Sequence, residues 1–173
     1  SGTHPGVLRF KRMTKRAYFD GPRPLAFAHR GGARTFPENT LLAFEGAIAM
    51  GYRHIETDVH LTLDGEIVCF HDATLDRTTN GKGLLRERTL RELRELDAAH
   101  HFSPDGRTTP YRGQGITIPT FEEALALHPD VKWNVEIKPR SKEAVEKVVS
   151  FLEARGLEDR VLLAAADDRT NAW

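Results

Sequence analysis

Two rhythms of apolar residues alternate along the chain. Leu25–Ala28 is a short apolar run bounded by Pro24 and by Arg30-Gly31-Gly32, and it predicts a buried strand. Over Thr40–Met50, Leu41, Phe44 and Ile48 recur at helical spacing, with Asn39 or Thr40 as cap and Gly51 as terminator. His54–Leu63 predicts a second strand. Asp64-Gly65 then predicts a two-residue hairpin turn, with Glu66–Phe70 as the return arm. Asp76–Arg88 reads as loop, and the capping box Thr89-Leu90-Arg91-Glu92 opens a helix to about Leu96. The stretch His100–Ile118 is broken by Pro104, Gly106, Pro110, Gly113 and Gly115. A second capped start, Pro119 to Glu123, leads a helix to about His128. Trp133–Ile137 is a strand. Ser141 caps a helix with Val145, Val148, Val149 and Leu152 on its inner face, ended by Gly156, and Val161–Ala165 is one more strand.

Strands alternating with helices predict an α/β fold with a parallel sheet. A doubly wound sheet and a β/α barrel both fit that order. Polar residues decide between them: His29-Arg30, Glu56/Asp58 and Glu136/Lys138 sit toward the C-terminal ends of three strands. Barrels collect reactive groups from several strand ends in this way. His29-Arg30-Gly31-Gly32 also lacks the spacing of a dinucleotide phosphate loop. The expected architecture is a parallel β/α barrel of the TIM-barrel type. Residues 1–23 form an N-terminal extension, and 24–173 form the N-terminal part of the barrel, with an insertion at about 60–118. A full barrel takes about 250 residues, so the pattern is expected to stop after about its fifth strand.

Charge and composition narrow the function. Lys plus Arg and Asp plus Glu both number 25, for a formal net charge of zero. No broad field for nucleic acid or an anionic membrane exists, so attraction for an anion must be local. A single cysteine, Cys69, excludes an intrachain disulfide and fits a reducing, cytoplasmic compartment. No apolar run reaches the length of a membrane span.

Glu56 and Asp58 stand two apart on one strand and share a face, as do Glu136 and Lys138 on another. Carboxylates gathered in one space repel unless paired or bound to a cation, and oxygen-only ligation suits magnesium or calcium. With a two-residue turn, the hairpin register pairs Val59 with Phe70 and Asp58 with His71. A bulge would move His71 by one position and to the other face. His29 and His71 would then stand near Arg30 and Lys138. Imidazoles exchange protons near neutral pH, a guanidinium binds phosphate through two parallel hydrogen bonds, and an ammonium adds a point charge.

In order, the chain holds His29-Arg30-Gly31, Pro37-Glu38-Asn39-Thr40, Glu56-Thr57-Asp58-Val59, His71-Asp72, Arg77-Thr78-Thr79, Pro119-Thr120 and Glu136-Ile137-Lys138. The set resembles the glycerophosphodiester phosphodiesterase family. That resemblance implies a metal-dependent hydrolase releasing sn-glycerol 3-phosphate and an alcohol from a small-molecule glycerophosphodiester. It implies one divalent cation, Mg2+ or Ca2+, on Glu56, Asp58 and Glu136. It makes His29 and His71 general acid and base, and Arg30 and Lys138 phosphate ligands. His60 departs from the pattern, standing where a neutral polar residue is expected, on the Asp58 face.

Blander readings exist for each residue. An isolated Glu-x-Asp is usually a solvated face, His29 a core histidine, and Arg30 or Lys138 a neutraliser of buried acids. Asn39 reads equally as a helix cap and as a site residue, and Glu38 as a dipole partner. Arg77 reads as structural within the insertion, and Asp72 as orienting its loop. His4, His54, His100, His101 and His128 read as surface or packing residues. Two other functions fit the same residues: a lysophospholipase D with an apolar path for an acyl chain, and a non-catalytic phosphate-binding or assembly module.

Overall fold

The computed structural model describes Tyr18, Phe19 and residues 23–165. Most of the N-terminal extension, His4 included, lies outside them. Five strands form one sheet: β1 (Phe27–His29), β2 (His54–Leu61), β3 (Ile67–Cys69), β4 (Lys132–Ile137) and β5 (Val161–Ala165). The helices given in full among the described residues are α1 (Leu41–Ala49), a single turn α2 (Leu90–Leu93), α3 (Phe121–Ala126) and α4 (Lys142–Glu153), with a short 3-10 turn at Leu85–Glu87.

β1, β2, β4 and β5 are parallel and lie side by side in chain order. A doubly wound sheet reverses its strand order, whereas a β/α barrel adds each new strand on the same side. The observed winding is the barrel's, and the sheet is open. β3 runs antiparallel to β2. Val59 pairs with Ile137 on one side and Cys69 on the other, so β3 occupies the β1 edge of β2 beyond the end of β1.

Caps set the helix starts. Thr40, not Asn39, caps α1, its hydroxyl accepting from the Ala43 amide. Thr89 and Thr120 both form capping boxes, with Glu92 and Glu123 reaching back. α2 nevertheless ends at Leu93 rather than Leu96. Beyond it the bonds tighten to a three-residue spacing, the Glu95 amide donating to the Glu92 carbonyl and the Leu96 amide to the Leu93 carbonyl, while Leu96 still packs on the insertion's core. β1 starts at Phe27 and buries only Ala28, because its other face is open.

Two cores divide the chain. Ile55, Val59, Trp133, Val135 and Ile137 pack beneath Phe44, Phe121, Ala144 and Val148 of the helices. Val68, Phe70, Leu75, Leu85, Leu93 and Ile118 make a separate core for the insertion. Alternation along β2 and β4 therefore sends Thr57, Val59, Val135 and Ile137 to the helices. It sends Glu56, Asp58 and Glu136 to the opposite face. Among the described residues, no helix is long and apolar enough to cross a membrane.

The hairpin corrects one expectation. Leu61 pairs with Ile67 and His60 with Val68, one residue out of the register that a two-residue turn demands. The Thr62 amide donates to the Glu66 carbonyl, and its hydroxyl accepts from the Glu66 amide. The loop is thus Leu63-Asp64-Gly65, with Gly65 at φ +80, the glycine position of a three-residue hairpin. Asp64 serves elsewhere: its carboxylate accepts from the Thr62 hydroxyl and from the Leu90 amide at the start of α2. Phe70, not His71, stands opposite Asp58, its amide donating to the Asp58 carbonyl at 2.9 Å.

Candidate active site

The acidic trio predicted from spacing is assembled. One carboxylate oxygen from each of Glu56, Asp58 and Glu136 lies within 4.8 Å of the others. Register explains the meeting: Asp58 and Glu136 are direct neighbours across β2 and β4, and Glu56 is two residues back on the Asp58 face. Asp58 is fully buried, while Glu56 and Glu136 are partly open. Burial raises the Glu56 pKa, and repulsion from Asp58 adds to it.

Cations hold the trio together. Lys138 Nζ lies 3.0 Å from Asp58 Oδ1 and 2.8 Å from Glu136 Oε1. Burial works against the ammonium, but the hydrogen bonds to Glu136 and Asp58 outweigh it and raise its pKa. Arg30 comes from the loop after β1. Its amide donates to Glu56 Oε2 at 2.9 Å, its Nη1 donates to Glu38 Oε1 at 3.0 Å, and its Nε lies 3.3 Å from Asp58 Oδ2. That last contact is off the hydrogen-bond direction, which leaves a buried guanidinium N–H without an acceptor.

Backbone geometry aims these groups. Arg30 has φ +50 and Asn39 has φ +56, both in the left-handed region that side chains other than glycine seldom enter. The Asn39 amide donates to the Arg30 carbonyl, which closes the loop between them. Asn39 Nδ2 then donates to Asp58 Oδ2 at 2.9 Å, and its Oδ1 accepts from the Thr57 hydroxyl at 2.8 Å. Asn39 therefore holds Asp58 through its side chain and is not the cap. Both strained positions serve Asp58, consistent with strain being kept where function needs it. Gly31 makes the turn possible: a Cβ there would lie 2.8 Å from Phe44 Cδ1 and 2.9 Å from the Ala43 carbonyl carbon.

His29 ends β1 with its ring exposed and Nε2 3.8 Å from Glu56 Oε2. His71 is not paired across from Asp58 as the two-residue turn predicted. It follows the end of β3, and its Nδ1 lies 2.6 Å from Asp72 Oδ1. The Asp72 pKa is lowered to about 2, first by the hydrogen bond from Arg77 and then by that to His71. An ionised carboxylate only accepts, so His71 Nδ1 carries the proton and Nε2 is the nitrogen left for chemistry. His29 thus meets the trio at Glu56 from the end of β1, while His71 lies on the segment after β3 beside Asp72.

Two residues were underrated by sequence. His60 is buried, and its Nε2 lies 3.0 Å from the His71 carbonyl oxygen. A carbonyl only accepts, so Nε2 carries the proton there, and burial lowers the ring's pKa. The alternation along β2 was the signal, since His60 shares the Asp58 face. Glu38 is more than a dipole partner: it accepts from both Arg30 and Arg77. No local spacing announces that pairing, because 39 residues separate Glu38 from Arg77. His54 is a packing residue, buried with its Nε2 3.1 Å from the Tyr18 carbonyl oxygen. Cys69 is buried, and burial pushes its thiol up to about 12.

Comparisons with known proteins converge on one family. The sequence profile described as "Glycerophosphoryl diester phosphodiesterase family" matches residues 29–171. A glycerophosphodiester phosphodiesterase of Bacillus altitudinis is 42% identical over 146 residues, covering 80% of this chain and 56% of that protein. One from Caldanaerobacter subterraneus is 36% identical over 148 residues, covering 83% of this chain and 58% of that protein. The chain thus spans a little over half the length of these relatives. Among solved structures, a glycerophosphoryl diester phosphodiesterase domain from Mycobacterium tuberculosis superposes with a TM-score of 0.79 at 31% identity, over 86% of this chain and 55% of that one. An Oleispira antarctica phosphodiesterase, solved in complex with sn-glycerol-3-phosphate, gives a TM-score of 0.68 at 33% identity, over 85% and 59%. The winding of the strands, the gathered acids and these likenesses agree: the chain belongs to the glycerophosphoryl diester phosphodiesterase family.

Proposed function

We propose that this site hydrolyses glycerophosphodiesters to sn-glycerol 3-phosphate and an alcohol. The observation that carries the reading is the trio of carboxylates within 4.8 Å, braced by Arg30 and Lys138. Three hard oxygen donors and no soft ligand fit one divalent cation, Mg2+ or Ca2+, held by Glu56, Asp58 and Glu136. Such an ion supplies Lewis-acid polarisation of a phosphoryl oxygen. The Oleispira antarctica phosphodiesterase, solved with its product sn-glycerol-3-phosphate, supports glycerol 3-phosphate as product here.

The remaining roles fall to this chain's own side chains. Arg30 has more guanidinium N–H groups than its contacts with Glu38 and Asp58 use, and it offers one to a phosphate oxygen. Lys138 shares that task once its two carboxylates are neutralised by another cation. His29, exposed at the end of β1, and His71, oriented by Asp72, are the two proton-transfer groups. One takes the proton of the nucleophile and the other gives a proton to the leaving alcohol; the nucleophile is water, or the substrate's neighbouring hydroxyl, whose cyclic phosphate water then opens. A cavity of about 450 Å³ lies beside Glu38 and Arg77 and reaches Phe102 and Pro104.

The test is release of glycerol 3-phosphate from a panel of diesters, with and without chelator, beside calorimetry of Mg2+ and Ca2+ binding. Release abolished by chelator and restored by one ion is expected. Binding of neither ion, with no release from any diester, would overturn the proposal. The cavity's apolar rim gives a lysophospholipase D reading its one support, and faster turnover of lysophosphatidylcholine than of glycerophosphocholine would favour it.

A further inference from the structure

One side chain joins the two halves of the site without touching the trio. Arg77 lies in the insertion, and its guanidinium grips two carboxylates at once. Nε and Nη2 donate to Asp72 at 2.6 and 3.0 Å, and Nη1 and Nη2 donate to Glu38 at 2.9 and 2.6 Å. Each carboxylate continues inward. Asp72 holds His71 Nδ1 at 2.6 Å, and Glu38 holds Arg30 Nη1 at 3.0 Å. Arg30 closes the chain on Asp58 and, through its amide, on Glu56.

We infer that Arg77 is a positioning residue that sets the separation between the proton-transfer group His71 and the phosphate ligand Arg30. It rests on the functional reading above and deepens it. The two groups come from different loops, one after β1 and one after β3. No strand pairing ties those loops at that point, since β3 ends at Cys69 and β1 at His29. The five-membered chain His71–Asp72–Arg77–Glu38–Arg30 supplies the missing tie.

The geometry suits that role and no simpler one. A planar guanidinium presents fixed donors on two edges, so it can hold two carboxylates at a set angle, which an ammonium cannot. Arg77 is about half exposed, so the pairing adds little to stability by itself. Both carboxylates also respond to it. Burial would raise the Glu38 pKa, but Arg77 first and Arg30 next hold it below its usual range. Both acids therefore stay charged and keep their grip on the groups behind them.

The experiment uses the whole chain, with kcat and KM for a glycerophosphodiester and calorimetric binding of glycerol 3-phosphate. Asp72→Asn is expected to lower kcat with KM little changed. Glu38→Gln is expected to raise KM and weaken glycerol 3-phosphate with kcat little changed. Arg77→Ala should do both, with kcat down about 30-fold, as expected for misplaced reacting groups. Its KM should rise about tenfold, the worth of one charge-assisted hydrogen bond. Arg77→Lys reaches one carboxylate at a time and should recover one constant, not both. A merely structural Arg77 would shift both constants alike in all three variants, in step with their melting temperatures. That pattern, full recovery by Arg77→Lys, or an Arg77→Ala protein with wild-type constants beside an active wild type would overturn the inference alone. A wild-type chain that neither binds glycerol 3-phosphate nor turns over diester would instead overturn the functional reading and this inference with it.

Discussion

Replacing Asp58 by Asn tests whether the gathered charges hold the fold or strain it. Asp58 is 1% exposed and faces Lys138 at 3.0 Å and Arg30 at 3.3 Å. Removing one partner of a buried ion pair costs about 3–5 kcal/mol, because the other charge is left uncompensated. Two features pull the cost toward the lower end. Lys138 keeps Glu136 at 2.8 Å and Arg30 keeps Glu38 at 3.0 Å. Loss of the Asp58 charge also relieves the repulsion that raises the Glu56 pKa. The expected loss is therefore about 3 kcal/mol. With unfolding entropy of about 2.1 cal/mol/K per residue, a chain of this length should melt about 8 °C lower. The assay is a circular-dichroism melt at pH 7 in chelator and low salt. Divalent cation added afterwards should raise the wild-type melting temperature more than that of the variant, because only the wild type keeps three anionic donors. A variant in chelator melting at or above wild type would refute the reasoning. It would mean that repulsion among the acids, not pairing with Lys138 and Arg30, dominates the buried site.

Three further outcomes are expected. His29→Ala and His71→Ala should each lower turnover at least about 100-fold, measured as glycerol 3-phosphate release, and near wild-type rates in either would remove that residue from the chemistry. Gly31→Ala should cost about 3 kcal/mol, since it adds overpacking against the Ala43 backbone to a left-handed φ of +75, and an unchanged urea midpoint would contradict this. Asp72 has a folded pKa of about 2, below its unfolded value, so its contribution is present above the usual aspartate range and fades as pH falls toward 2. The melting difference between wild type and Arg77→Ala should therefore shrink between about pH 4 and pH 2, and a difference that widens on acidification would show the sign to be wrong.

Much of the fold was legible because it is written in short-range chemistry. Thr89, Thr120 and Ser141 each precede an apolar row at helical spacing, and each caps a helix in the structure. The barrel winding was legible from where His29, Glu56 and Glu136 fall on their strands. Helix lengths were less so. The capping box at Thr89 is present, yet α2 lasts one turn, because the insertion's small core, not local propensity, decides where the chain bends. The hairpin register failed for a related reason. Asp64-Gly65 is a strong two-residue turn signal, but Thr62 competes by accepting the Glu66 amide with its own hydroxyl. One extra loop residue follows, and His71 loses its predicted place across from Asp58.

That slip left the trio intact, and the reason separates what spacing can and cannot predict. Glu56 and Asp58 share a face whatever lies beside them, because side chains alternate along any strand. Glu136 joins them only through the parallel register of β2 with β4, where a shift of one residue would send it to the helices. That register is enforced from the other face. Ile55, Val59, Trp133, Val135 and Ile137 are all buried under α1, α3 and α4, and sliding β4 by one would drive Trp133, Val135 and Ile137 into the charged cleft. Apolar packing thus fixes where the acids meet. The hairpin lacks such a constraint on the site side, since β3 holds three residues and the chain departs after Phe70. His71 must then be placed by polar contacts instead, through Asp72, Arg77 and the His60 ring. Long-range pairs of that kind leave no periodic trace in a sequence, which is why the meeting of the three acids could be read from it and the means of aiming the histidine could not.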